Sequence, residues 1–247
     1  FTMVPFAFAA NTTVDSYQAL QTALESASNG DTITLSNDII FTPTQGQSGH
    51  LNPQICIGKS VTLNLNNHKI AYDSNCMSTS YTGTPTLLSI MNGATVTIIG
   101  NGTIDAELGN NGSYAINVTD DSQLSIENVN FYGAPTAVQI QKGSFIAYNG
   151  NFNLASTISN IQNSATAYAK YIVNCIDAAF KDGTAKVQLI GGTYGYDFSN
   201  KPEGEGTTYI PSGYNVTESN GSYFISEKSD NVAQINGVQY ATLPDAV

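Results

Sequence analysis

The chain contains no arginine and no tryptophan; all eight of its cationic side chains are lysine. Arginine is the planar clamp for carboxylates and phosphates, so recognition of those groups by a bidentate fork is excluded. Nineteen acidic residues bring the formal net charge to −11. A surface of that sign repels phosphate backbones and anionic headgroups, and nucleic acid is not an expected partner. Charged residues are scarce at 11% while hydrophobic residues reach 41%, which excludes ordinary disorder and leaves solubility to Asn, Ser, Thr and Gly. Cysteine is sparse and odd in number. Cys56, Cys76 and Cys175 form no CxxC pair and no metal-ligand spacing. Cys56 and Cys175 sit in apolar runs, where buried thiols are expected; Cys76, in a polar stretch, leaves a pairing open. No stretch is long and apolar enough to span a membrane.

Phe1 to Ala10 is uncharged and apolar and ends in Ala7-Phe8-Ala9 before the polar stretch from Asn11. Small residues placed so after an apolar run suit signal peptidase, so residues 1–10 read as the tail of a signal peptide and the protein as secreted. Residues 16–28 read as the one convincing helix. Tyr17, Leu20 and Leu24 share a face, Asp15 with Gln18 suits an N-terminal cap, and Asn29-Gly30 follows as a stop.

From Asp31 the texture changes to short β-branched runs separated by Asn, Gly and Asp. Five segments align, beginning at Val61, Val96, Leu124, Phe145 and Val187. Each places apolar residues two apart, then a Gly or Asn corner, then another apolar residue, as in Leu124-Ser-Ile-Glu-Asn-Val-Asn-Phe131. A period-2 run buries one face of a strand, and the Gly or Asn supplies the tight corner. Such a unit buries its face only by stacking on copies of itself. The starts are 35, 28, 21 and 42 residues apart, so the turns carry loops of unequal length. The expectation is an all-β, right-handed, single-stranded parallel β-helix, a solenoid of roughly eight coils over residues 11–229, closed at its N-terminal end by the helix as a lid. Residues 230–247 read as a linker and the start of a following module, because Tyr240, Leu243 and Ala246 repeat the spacing of Tyr17, Leu20 and Ala23.

The Leu-x-Ile-x-Asn-x-x-Phe repeat, with Gly30-Asp-Thr-Ile-Thr-Leu35 after the lid helix, resembles the pectin-lyase-like parallel β-helix superfamily. The stretches Tyr171-Ile-Val-Asn-Cys-Ile-Asp177, Gly183-Thr-Ala-Lys-Val187, Gly191-Gly-Thr-Tyr194 and Gly213-Tyr-Asn-Val216 are similar to β-helix modules in surface proteins of gut Gram-positive bacteria and in phage structural proteins. The resemblance covers nearly the whole chain from residue 14. It implies lyases, hydrolases, adhesins or inert stalks alike, since a fold does not fix a function.

The candidate chemistry is weighed on single residues. Gly100-Asn-Gly-Thr-Ile-Asp105 is similar to a stretch of polygalacturonase-like enzymes, and Asp120-Asp121 forms an adjacent pair, so Asp105, Asp120 and Asp121 are the catalytic candidates of an enzyme reading. Gly-His-Gly is absent, and Arg-Ile-Lys is impossible without arginine. Neighbouring Asp residues are also ordinary turn formers. A lyase would need a cationic base, for which Lys142, Lys170, Lys181 and Lys186 stand in. Asp105, Glu107, Asp120 and Asp121 could offer hard oxygens to Ca²⁺; no other cofactor is implied. His50 and His68 lie apart. Thr-x-Thr occurs sporadically, as at 32/34, 84/86 and 95/97, which implies no flat threonine array. Fourteen tyrosines are present, several in loop-like stretches. Tyr72, Tyr132, Tyr194, Tyr196 and Tyr209 are candidates to stack on sugar rings, with Tyr81 and Tyr214 beside them. The expected function is a non-catalytic extracellular module, adhesin-like or spacer, that contacts a host or cell-wall polysaccharide. The alternatives are a polysaccharide lyase or hydrolase and a phage fibre or spike domain.

Overall fold

A computed structural model describes residues 9–42, 54–73, 86–107, 113–133, 135–154, 171–197, 205–228, 233–235 and 238–240. Strand β1 (Asn11–Val14) is followed by helix α1 (Tyr17–Ser26). The chain then passes through strands in threes: β2 (Thr32–Leu35), β3 (Ile39–Phe41), β4 (Ile55–Ile57); β5 (Thr62–Asn64), β6 (Lys69–Tyr72), β7 (Thr86–Ile90); β8 (Thr95–Ile99), β9 (Thr103–Asp105), β10 (Ser113–Val118). It continues with β11 (Ser122–Ile126), β12 (Val129–Gly133), β13 (Pro135–Ile140); β14 (Gly143–Ala147), β15 (Gly150–Leu154), β16 (Tyr171–Cys175). After the short helix α2 (Asp177–Lys181) come β17 (Ala185–Leu189) and β18 (Gly192–Tyr194), helix α3 (Glu205–Thr208), and two hairpins, β19 (Tyr214–Ser219) with β20 (Ser222–Glu227) and β21 (Ala233–Ile235) with β22 (Val238–Tyr240).

From β2 to β15 each strand pairs in parallel with the strand three places on, and β1 pairs with β2, which makes three sheets. Sheet I runs β1-β2-β5-β8-β11-β14-β17, sheet II carries β3-β6-β9-β12-β15-β18, and sheet III is β4-β7-β10-β13-β16. The register aligns Val96 with Leu124, Leu124 with Phe145 and Phe145 with Val187, and Thr62 with Thr97 one residue beyond Val61 and Val96. The five repeat units of the sequence therefore lie on one rank of sheet I.

The unequal spacing has a single origin. Connections from sheet I to sheet II take two to four residues, whereas those from sheet II to sheet III take 13, 13, 7, 1 and 16. Nearly all extra length is thus inserted at one corner. This is why the described residues hold five complete strand triads and a sixth pair rather than the eight coils expected: length inserted at one corner lengthens a turn without adding one.

Alternation decides what lies inside. On sheet I, Ile33, Leu63, Ile98, Ile126, Ala147 and Leu189 form one buried rank in register. On sheet II, Phe131, Phe152 and Tyr194 stack with near-parallel rings, centroids 5.2 and 4.8 Å apart. Offset-stacked aromatics in contiguous turns add about 0.5–1.5 kcal/mol per pair beyond burial. Helix α1 closes the N-terminal end by burying Leu20, Ala23 and Leu24, with Tyr17 stacked on Phe41 at 4.3 Å. Its cap is Ser16, whose Oγ accepts from the Ala19 amide at 3.3 Å, instead of Asp15, and it ends at Ser26 ahead of Asn29.

At the other end the parallel order stops. β19 and β20 form an antiparallel hairpin against β18 around Asn220 and Gly221, both at positive φ. Asn-Gly supplies the two left-handed residues that a tight hairpin turn needs, so the parallel repeat does not extend to Lys228. Tyr240 closes β22 instead of opening a second lid helix; residues 241–247, like 1–8, lie outside the described residues.

Candidate functional site: a groove on the outer flank of sheet I

The outward side chains of sheet I follow from the same alternation. Gln123 and Ser125 of β11, Ser144 and Ile146 of β14, and Lys186 and Gln188 of β17 fall in two ranks across three neighbouring strands. They floor a groove of about 620 Å³ that is also lined by Tyr148, Phe180 of α2 and Tyr209. Tyr148 is 51% exposed. It stands outside because Phe145 and Ala147 point inward, and the next turn passes beneath it closely: a Cβ on Gly191 would lie 2.0 Å from the Tyr148 carbonyl oxygen. Lys186 is the sole charged residue among those lining the groove, although the chain carries 19 acidic residues. Among the described residues, no side-chain hydrogen bond or ion pair engages Gln123, Ser125, Ser144, Lys186 or Gln188. The groove therefore combines an aromatic face with amide, hydroxyl and ammonium groups whose bonding capacity is unspent.

The tyrosines singled out from the sequence are distributed otherwise. Tyr72, Tyr194 and Tyr209 are at most 2% exposed, so their rings are not open to a sugar. Tyr72 packs edge-on to Phe41, Tyr194 ends the aromatic stack and donates its hydroxyl to Gly191 O at 2.9 Å, and Tyr209 donates to Cys175 Sγ at 3.5 Å. Burial pushes the Tyr194 hydroxyl far above the ordinary tyrosine range. Tyr132 is half-buried on sheet II, and Tyr196 is 36% exposed beyond β18. Tyr214 is half-buried, and Tyr81 lies outside the described residues. Tyr148, which is not among the tyrosines singled out from the sequence, is the exposed tyrosine of the groove. The signal was in the parity: two residues on from Ile146, it shares the outward face.

The carboxylates do not converge. Asp105 ends β9 beside Tyr132 in register. Burial pushes its carboxyl up, opposed by the Glu107 amide donating to Asp105 Oδ1 at 2.9 Å. Asp120 and Asp121 lie on the turn between β10 and β11, both at positive φ and both exposed. Asp121 pairs with Lys142 at 2.8 Å, and Asp120 accepts the Asn92 amide. The six-residue strand β10 separates that turn from the corner that follows Asp105, a run of roughly 20 Å. Paired-carboxylate hydrolysis needs about 5–10 Å, so Asp105 does not form such a pair with Asp120 or Asp121. Among the described residues no three His, Cys, Asp or Glu side chains gather as a metal cage; the four Ca²⁺ candidates fall in two separate pairs, Asp105 with Glu107 and Asp120 with Asp121.

His68 lies 3.4 Å from Asp38, and His50 is outside the described residues. Cys175 is buried, as expected of its apolar run, whereas Cys56 faces outward between the inward Ile55 and Ile57. The Cys56 thiol is nonetheless pushed up by partial burial, and Tyr17, near it, is shifted the same way. Cys76 and Lys170 lie outside the described residues; Lys181 ends α2. Among the described residues no helix is long and apolar enough to cross a membrane. No protein-family model, no curated protein and no solved structure matches this chain.

Proposed function

We propose that the chain is a right-handed parallel β-helix module of the pectin-lyase-like type, carried by an extracellular surface protein, and that it binds carbohydrate in the groove on sheet I. The handedness follows from the general rule that parallel crossovers between right-twisted strands are right-handed in about 98% of cases. The observation that carries the ligand class is the groove's lining: Tyr148 exposed at one side, and unspent amide and hydroxyl groups on the floor with one ammonium and no carboxylate. Sugars present apolar ring faces and hydroxyl edges, which an aromatic ring and neutral hydrogen-bonding side chains match. The separation of Asp105 from Asp120 and Asp121 favours binding over hydrolysis as the role of this surface.

The test is a glycan-array screen of the purified chain, with and without calcium, followed by a product assay on every bound polysaccharide. Binding with no new reducing ends or unsaturated products is expected, and Tyr148→Ala should weaken the array signal. Turnover lost in Asp105→Asn would replace the binding reading with an enzymatic one.

A further inference from the structure

The groove does not end at β11 but opens onto a rank of hydroxyls. Register places Thr32, Thr62, Thr97 and Ser125 side by side on β2, β5, β8 and β11, and the same rank continues as Ile146 and Gln188 in the groove floor. A second rank runs from Thr95 through Gln123 and Ser144 to Lys186. Sporadic Thr-x-Thr in the sequence implies no flat threonine array. That pattern concerns hydroxyls within one strand, whereas these come one from each strand and meet only because the turns stack in register. All four hydroxyl side chains of the first rank are half-buried at the surface of sheet I, and among the described residues none is spent on a hydrogen bond or ion pair.

Neighbouring strands lie about 4.8 Å apart, close to the rise of one sugar in an extended β-1,4-linked chain. A coiled α-linked glucan does not keep that spacing along a straight line. Resting on the carbohydrate reading above, we infer that the ligand is an unbranched, extended β-1,4-linked glycan that lies across the strands, parallel to the stacking axis. One end occupies the groove against Tyr148 and Gln188, and the chain runs over Ser125, Thr97 and Thr62 at about one sugar per strand. Each strand then offers one hydroxyl or amide to one sugar, so that affinity is built from repeated weak contacts in place of a single deep pocket.

The experiment titrates cello- and chito-oligosaccharides of two to six residues, with maltohexaose as the α-linked control, into the full chain and into Thr97→Val. Valine keeps the β-branched shape and the strand preference, so the variant retains the fold, which its thermal melt checks. Affinity for one β-linked series is expected to climb with each added sugar, maltohexaose to bind at least about tenfold more weakly than the matching hexamer, and Thr97→Val to weaken the hexamer about fivefold, as for loss of one neutral hydrogen bond, while leaving the dimer unchanged. Equal affinity for dimer and hexamer, with Thr97→Val silent, would confine the ligand to the groove and overturn the inference while leaving the carbohydrate reading intact. Maltohexaose binding as tightly as the hexamers would overturn it in the same way. Failure of every oligosaccharide, together with an empty glycan array, would remove both.

Discussion

A carboxyl on the flank of sheet II and a glycine in sheet I show how single positions report the fold. Burial pushes the Asp105 carboxyl above its ordinary value. Below the unfolded-state pKa, about 3.9, both states hold the proton and the shift has no effect on stability. As pH rises toward the raised folded value the unfolded chain loses its proton first, so folding stability falls across that window and stays lower above it. Asp105→Asn removes the titration and keeps an oxygen for the Glu107 amide. Melting curves taken from about pH 3 to pH 7 should show the variant gaining on the parent as pH rises through that window; parallel profiles would mean that Asp105 is solvated. Gly143, at φ +129°, has room for no side chain, because a Cβ there would stand 2.1 Å from the Ser122 carbonyl oxygen. Gly183, at φ +78°, would meet nothing within 4 Å. Gly143→Ala should therefore cost more than about 3 kcal/mol and Gly183→Ala about 1 kcal/mol in urea denaturation. The placing of the tyrosines is decided at this same scale. Loop-like neighbours suggested exposure for Tyr72 and Tyr194, but inside or outside is fixed by parity against Ile70 and by register with Phe152, and register is invisible in one strand alone.

At the scale of elements, the lid helix was legible because amphipathic spacing and a capping segment are local signals. Leu20 is fully buried under it, and Leu20→Ala should lower stability by about 2–5 kcal/mol, measured by chemical denaturation; a loss below about 1 kcal/mol would show that α1 does not seal the end of the stack. The strands of sheet I were legible for a related reason, since each buries one face and spells it out every second residue. Sheet III was harder to read. Leu87, Ala115, Ala137 and Ile172 are buried on the face opposite Leu88, Ile116, Val138 and Val173, so β7, β10, β13 and β16 are covered on both faces and lose the alternation that marks a half-exposed strand. The terminal hairpin carried its own signal in Asn220-Gly221, but the texture of the preceding repeats is equally rich in Asn and Gly, and the turn did not stand out against it.

Across the whole molecule, the spacing of the repeat reports a minimal turn of 21 residues, realised between Leu124 and Phe145 where one residue joins sheet II to sheet III. Stacked turns contact only their neighbours, so one can be removed without unravelling the rest. Deleting residues 119–140 joins Val118 to Gln141 at positions that register makes equivalent, Val118 pairing with Ile140. The shortened chain should fold with the same circular-dichroism signature and a modestly lower melting temperature; a chain that fails to fold would contradict a stack of autonomous turns. The groove could not be read in the sequence, because its residues come from three strands more than 60 positions apart end to end and become neighbours only through stacking. Its role in binding is the central claim, and isothermal titration of the strongest array-positive glycan into the parent chain and Tyr148→Ala tests it most directly. A loss of affinity of roughly threefold to tenfold, with an unchanged melting temperature, is the predicted result; equal affinity in the two proteins would place the glycan elsewhere and contradict the account.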